Sequence, residues 1–268
     1  MLKSLRYVLR ENFTNLYRIF CIARYELLAD IRDSKFGLFW NFASPAIQVI
    51  TYWLVFGIGM ERKGYEGIAY LPWVIVGFAA WWYIQPCITQ GCSAVFSKKD
   101  VITKMKFPIS ILPATVCVKE FFNHLCMMVI TFFVLLLFGF YPNIYWLNLF
   151  YYMFCAFMLV EALSLVTSVL TMMWRDVKKL IVSLMRMLLY LSPVLWPAAF
   201  KSIPIMSFAM KLNPVYYVVT GYRDALFFEK SIFAHPIMTI YFWGIVICLF
   251  LLGSSLMYHF KRKMVDMI

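Results

Sequence analysis

The residues able to do covalent or metal chemistry are few and scattered. The three histidines, His124, His235 and His259, fall on different predicted elements. There is no HExxH pair and no Cys/His spacing of a zinc site, so no metal site is expected. No GxSxG elbow marks a nucleophile. The glycine pair nearest to a phosphate cradle, Gly59-Met-Glu-Arg-Lys-Gly64, is followed by Tyr65 and Glu66, where a lysine and a hydroxyl residue are required. Nucleotide hydrolysis by this chain alone, and a cofactor held within it, are therefore not expected.

What remains is charge and aromatic surface. Glu161 and Arg186 lie within long apolar stretches, where a charge is costly. Counted from Asp176 between them, they differ in depth by roughly 7 to 8 Å at about 1.5 Å per residue. An intramembrane ion pair is the leading reading and a place on a substrate path the second. Lys119, Glu120 and His124 open a span and are expected to snorkel to the interface. Trp40, Tyr52, Trp53, Trp73, Trp81, Trp82, Tyr83, Tyr190 and Trp196 fit interfacial belts. They also suit a sugar path, since the C–H faces of pyranose rings pack on aromatic rings.

The elements that must position these residues follow from composition. Of 268 residues, 63% are hydrophobic and 14% charged, against about a quarter charged in soluble domains. Most of the surface must therefore face lipid, and disorder is excluded. Six stretches reach the length of about 20 apolar residues that a spanning helix needs: 36–58, 69–96, 116–140, 146–174, 180–200 and 236–258. Strands alternating apolar and polar faces are absent, so an all-α membrane protein is expected rather than a barrel. Of the 25 Lys and Arg, 18 fall before the first span, after the second, after the fourth and in the tail; six fall on the other side, and Arg186 lies within the fifth span. This asymmetry places both termini in the cytoplasm of a multi-pass plasma-membrane protein and accounts for the +12 charge without nucleic acid. No cleavable signal peptide is expected, and none of the seven cysteines sits clearly in an external loop, so no disulfide is expected.

Residues 1–35 read as a cytoplasmic segment with an amphipathic interfacial helix, because Leu16, Ile19, Phe20, Ala23, Leu27 and Ile31 share helical spacing. It either anchors the chain or guides an anionic lipid-linked substrate. In the basic loop after the second span, Asp100 can cap a short helix that Pro108 ends. Residues 201–235, broken at Asn213-Pro214, read as an external re-entrant hairpin. Span 6 then leads to a basic tail, residues 259–268, completing one membrane domain over 1–268.

Several short motifs occur in order: Arg24-Tyr25; Ser34-x-x-Gly37-x-x-Trp40-x-x-x-x-Pro45; Lys104-x-x-Phe107-Pro108-x-x-x-Leu112-Pro113; Arg175-Asp176-Val177; Ser192-Pro193-Val194; and Asn213-Pro214 with Gly221-Tyr222-Arg223. Together they resemble the membrane subunit of ABC-2 type exporters of lipid-linked polysaccharide. The resemblance implies a homodimer resting on two copies of a separate ATPase subunit, which carries the ATP and magnesium. Lys98, Lys99, Asp100, Lys104, Lys106, Phe107 and Pro108, with Arg175, Asp176, Lys178 and Lys179, would seat on those ATPases. The first and fifth spans would line the path. Arg24, Arg32 and Lys35 would meet the pyrophosphate of an undecaprenyl-linked polymer, an anion that gains charge-assisted bonds from arginine. Overall likeness leans to wall teichoic acid, with O-antigen or capsule as the alternative. A membrane enzyme acting on lipid-linked glycan, or a scaffold, are the competing classes.

Overall fold

The computed structural model describes residues 2–32, 35–37, 39–59, 64–99, 102, 107–197 and 204–266. Apart from one isolated bridge, Tyr65 to Ile68, every element among them is helical. In chain order these are α1 (Leu2–Thr14), α2 (Leu16–Arg32), α3 (Phe39–Tyr52, running on as a π-helical stretch Trp53–Gly59), α4 (Tyr70–Gly91) and α5 (Ala94–Ser97). A 3-10 turn at Ile109–Ile111 leads into α6 (Leu112–Leu137). Another at Ile144–Leu147 leads into α7 (Asn148–Met173). Then come α8 (Asp176–Leu191), α9 (Pro204–Leu212), α10 (Pro214–Leu226) and α11 (Pro236–Asp266).

Among the described residues, five helices are long and apolar enough to cross a membrane: Phe42–Gly59, Tyr70–Gly91, Ile109–Leu137, Ile144–Met173 and Pro236–Lys261. The sixth expected span, 180–200, takes a different form. Its helix α8 has 16 residues, about 24 Å at 1.5 Å per residue, against an apolar core of about 30 Å. Pro193 disfavours helical geometry at the residue before it, and Ser192 is extended at ψ 154°. The chain then turns through Pro193 to Trp196. Residues 198–200 lie outside the described part.

α4 is the central post. It is buried along most of its length and packs on α6, α7 and α10. α11 lies along α7, and α3 leans on α4 with most of its surface open. The N-terminal segment holds two helices where one is expected, joined at Asn15. α1 packs against the end of α11, where Tyr7 meets Tyr258 with ring centroids 5.5 Å apart and the Lys261 ammonium sits 4.1 Å from the Tyr7 ring. That contact puts the two terminal helices at the same end of the bundle. Between α2 and α3, Gly37 adopts φ +43°, a left-handed conformation that favours glycine, close beneath the Ile31 carbonyl. This turn redirects the chain from α2 into the first span. Within 201–235, where a re-entrant hairpin is expected, the described residues form two helices, α9 and α10. The Asn213 side chain caps α10 by accepting the Val215 N–H at 3.0 Å. α9 leaves Ile205 and Phe208 exposed, whereas α10 is buried among α4, α7 and α11.

Candidate functional site

At the end that carries the termini, one apolar cluster joins α1, α5, α6, α7 and α11 through Val8, Val95, Leu112, Val169 and Met257. The two segments expected to meet the ATPase touch each other on this platform. The Phe96 ring has Lys99 5.7 Å from its centroid on one hand and Arg175, from the turn before α8, 5.2 Å away on the other. Arg175, Asp176, Lys178 and Lys179 are all exposed, and Asp176 pairs with Lys179 at 3.0 Å. Phe107 packs with Ile111 and Ala114 beneath Ile19 of α2. Pro108 opens the 3-10 turn. Asp100, Lys104 and Lys106 lie outside the described residues. α1 grips the same turn, because Glu11 accepts hydrogen bonds from Ser110 Oγ and from Tyr7 Oη, the latter at 2.7 Å. Burial, and then the Glu11 bond, push the Tyr7 hydroxyl above its ordinary pKa, so it stays a donor.

α2 is tied to this platform by charge. Lys98 Nζ meets Glu26 at 2.6 Å. One helical turn further, Asp30 accepts from Lys119 Nζ at 3.1 Å. Lys119 is buried; it also donates to Gln90 of α4 at 2.9 Å and lies 3.3 Å from Glu120, which in turn accepts from Gln90 and Asn123. Lys119 and Glu120 are thus buried rather than snorkelling to the interface, in a network that reaches the exposed Gln90 of α4 and Asp30 of α2. A buried ammonium needs such partners, since unpaired it would cost several kcal/mol. His124 is likewise buried, its Nε2 3.0 Å from the Tyr222 hydroxyl. Sequence reasoning missed Glu26, Asp30 and Gln90. The one signal was Gln90, a polar residue near the end of an apolar helix. With its inner side held, α2 leaves Arg24 and Arg32 exposed, and Lys35 is exposed just beyond it. Its apolar stripe divides: Ile19 and Ala23 are buried, while Leu16 and Phe20 face outward.

The expected ion pair between Glu161 and Arg186 does not form. Glu161 is buried, facing the Cys117 thiol across α6 and α7, while Arg186 is exposed on the outer side of α8. Depth along two helices matched; the faces did not. Arg186 instead shares an exposed stripe with Lys179, Ser183 and Tyr190, at helical spacing.

The candidate path aromatics divide as well. Trp81 and Tyr83 are buried within α4's surroundings, and Trp73 lies under a guanidinium described below. Trp82, Tyr52, Tyr190 and Trp196 lie together on the side between α3 and α8. Tyr52 stacks on Phe78 at 5.2 Å, as does Trp82, whose indole donates to Gln48 at 3.0 Å. Tyr190 lies near Tyr52, with its ring 6.1 Å from that of Trp196. Trp53 is partly buried against the core near Gly57, and Trp40 is exposed at the start of α3 beside Phe39.

At the opposite end three motifs converge. Arg223 of α10 is 3% exposed. Its guanidinium donates to the carbonyls of Pro193, Val194 (2.9 Å) and Trp73 (3.2 Å) and lies 3.7 Å from the Trp73 ring centroid. Asn213 Nδ2 donates to Ser192 Oγ at 2.8 Å. The Ser-Pro-Val break, the Asn-Pro cap and the Gly-Tyr-Arg run therefore form one joint between α4, α8 and α10. Gly221 is required there, because an added Cβ would stand 2.1 Å from the Tyr152 ring. Asp224 is buried beside it and pairs with Lys230 at 3.1 Å and His235 at 3.2 Å.

Residues 17–227 match the family described as ABC-2 type transporter. The chain is 25% identical over 264 residues to the O-antigen export system permease protein RfbA of Myxococcus xanthus, covering 96% of each chain. It is 22% identical over 249 residues to the protein of the same name from Klebsiella pneumoniae, covering 92% of this chain and 93% of that one.

Proposed function

Because the chain belongs to the ABC-2 type transporter family, we propose that it is the membrane subunit of an ATP-driven exporter of lipid-linked polysaccharide of the O-antigen class. The relatives named for O-antigen export favour that class over the wall teichoic acid that overall likeness pointed to. A separate ATPase subunit, in two copies, binds the nucleotide and magnesium. Both termini face the cytoplasm, in line with the basic residues concentrated at their end.

The observation that carries this reading is the linkage at the basic end. Phe96 joins the two segments that would rest on the ATPases, and Glu26–Lys98 and Asp30–Lys119 join them to α2. Closure of the ATPases pushes on the Lys99 and Arg175 region. That push travels through α5 and the head of α6 to α2, whose free Arg24 and Arg32, with Lys35, hold the pyrophosphate of the lipid anchor. Moving α2 moves the anion toward the open faces of α3 and α8. Arg186 then offers it a second cation within the apolar zone, where a lipid-facing charge would otherwise be costly. Trp40, Tyr52, Trp82 and Tyr190 supply apolar faces for the sugars that follow. Two copies meet along α3 and α8, closing this polar stripe away from lipid.

The test is affinity purification from native membranes, with mass spectrometry of the protein chains and lipids that come with it. A separate ABC ATPase in equal amount, with a polyprenyl-pyrophosphate glycan, is expected. Recovery of the chain alone in every detergent, or turnover of a lipid-linked glycan by the chain itself, would contradict the reading.

A further inference from the structure

Beside the Arg223 joint lies a cavity of about 320 Å³, bordered by the Tyr65–Glu66 turn, α4, α9, α10 and the start of α11. Its size falls at the lower end of small-molecule sites. We propose that it is a binding site for one neutral sugar unit of the glycan, at the exit end of the path. The proposal rests on the export reading for its biological ligand, but not for its chemistry.

The lining has the two things a pyranose needs. One is an aromatic face. Trp73 is already occupied by Arg223 and by Tyr65, whose ring lies 4.9 Å away, whereas Tyr216 borders the cavity half-buried. The other is a set of polar partners for its hydroxyls: Thr220, one helical turn from Tyr216, the Glu66 carboxylate and Ser207.

Charge decides between a sugar and a phosphate. An anion would need unspent cations. Arg223 is spent on three carbonyls, and Lys230 pairs with Asp224. Lys211 and Glu66, of opposite charge, both border the cavity. A neutral, hydroxyl-rich ligand fits this wall better than a pyrophosphate.

The experiment is saturation-transfer NMR on the purified full chain with methyl α-D-mannopyranoside, methyl α-D-galactopyranoside and methyl α-L-rhamnopyranoside. At least one should bind saturably, with a dissociation constant on the order of millimolar. Tyr216→Ala should weaken it about tenfold or more, Tyr216→Phe should retain it, and Ser207→Phe, which fills the cavity, should abolish it. Inorganic pyrophosphate should not compete. No saturable binding, binding indifferent to both Tyr216→Ala and Ser207→Phe, or displacement by pyrophosphate would each overturn the assignment. Unchanged thermal transitions of the variants exclude unfolding as the cause. Failure of ATPase co-purification with intact glycoside binding would sink the export reading and leave the site standing.

Discussion

Removing Arg223 would leave the carbonyls of Trp73, Pro193 and Val194 without their donors in a dry interior. Each buried polar group left unpaired costs about 1–3 kcal/mol. Arg223→Ala is therefore expected to lower stability by on the order of 3 kcal/mol or more, read as a large drop in the thermal transition of the purified chain. A variant as stable as the parent would show that these contacts are dispensable. Gly221→Ala forces a methyl group into the Tyr152 ring, which should cost about 1–3 kcal/mol. Combining it with Tyr152→Ala should cost less than the two single losses added, because the clash is gone; simple additivity would contradict the packing. The sequence marked these residues as motif members but not their work. Arg223 counts as an external charge until the break at Ser192-Pro193 brings carbonyls to it. Glu161 and Arg186 were misread for a related reason: counting residues yields depth along a helix, while partnership also depends on which face each side chain takes.

The helix α2 and the Lys98 segment form a lever whose joints are electrostatic. The Glu26–Lys98 pair is partly exposed, with side chains 22% and 36% accessible, so it contributes below about 1 kcal/mol to stability. Its effect belongs to coupling. Lys98→Glu is expected to leave the thermal transition unchanged while lowering export and stimulated ATPase activity about fivefold or more. Adding Glu26→Lys should restore most of both. A charge swap that restores nothing would dismiss the lever. Lys119→Met acts differently, since it leaves the buried Glu120 without its cation while the exposed Asp30 stays in water, and it should cost about 1–3 kcal/mol. At this scale the sequence was most informative. Five of the six expected spans are present as long apolar helices, because a run of about 20 apolar residues has few other solutions. The exception, α8, is shortened by one Ser-Pro step. The α2 network was not legible, because Asp30, Gln90 and Lys119 come from three elements well apart in the chain.

For the molecule as a whole, α3 is the outlier, a long apolar helix with little of its surface covered by its own chain. The proposed pairing with a second copy there, together with α8, would account for the exposed Arg186 as well as for the aromatics beside it. With the exposed Cys126 and Cys248 replaced by serine, Ile47→Cys and Leu54→Cys should cross-link between copies in native membranes, while Val129→Cys, exposed on α6, should not. The reverse pattern would move the interface and the path with it. The claim that joins these scales is that ATP hydrolysed on a partner drives a lipid-linked glycan past α2 and between α3 and α8. It is tested most directly by reconstituting the chain with its co-purifying ATPase in proteoliposomes and measuring the ATP-dependent appearance of undecaprenyl-pyrophosphate glycan on the far side. Transfer that requires ATP, falls with Arg24→Ala, Arg32→Ala and Arg186→Ala, and is lost without the ATPase is the predicted result. Glycan that stays in place with a fully active ATPase, or that crosses equally well without ATP, would contradict the account.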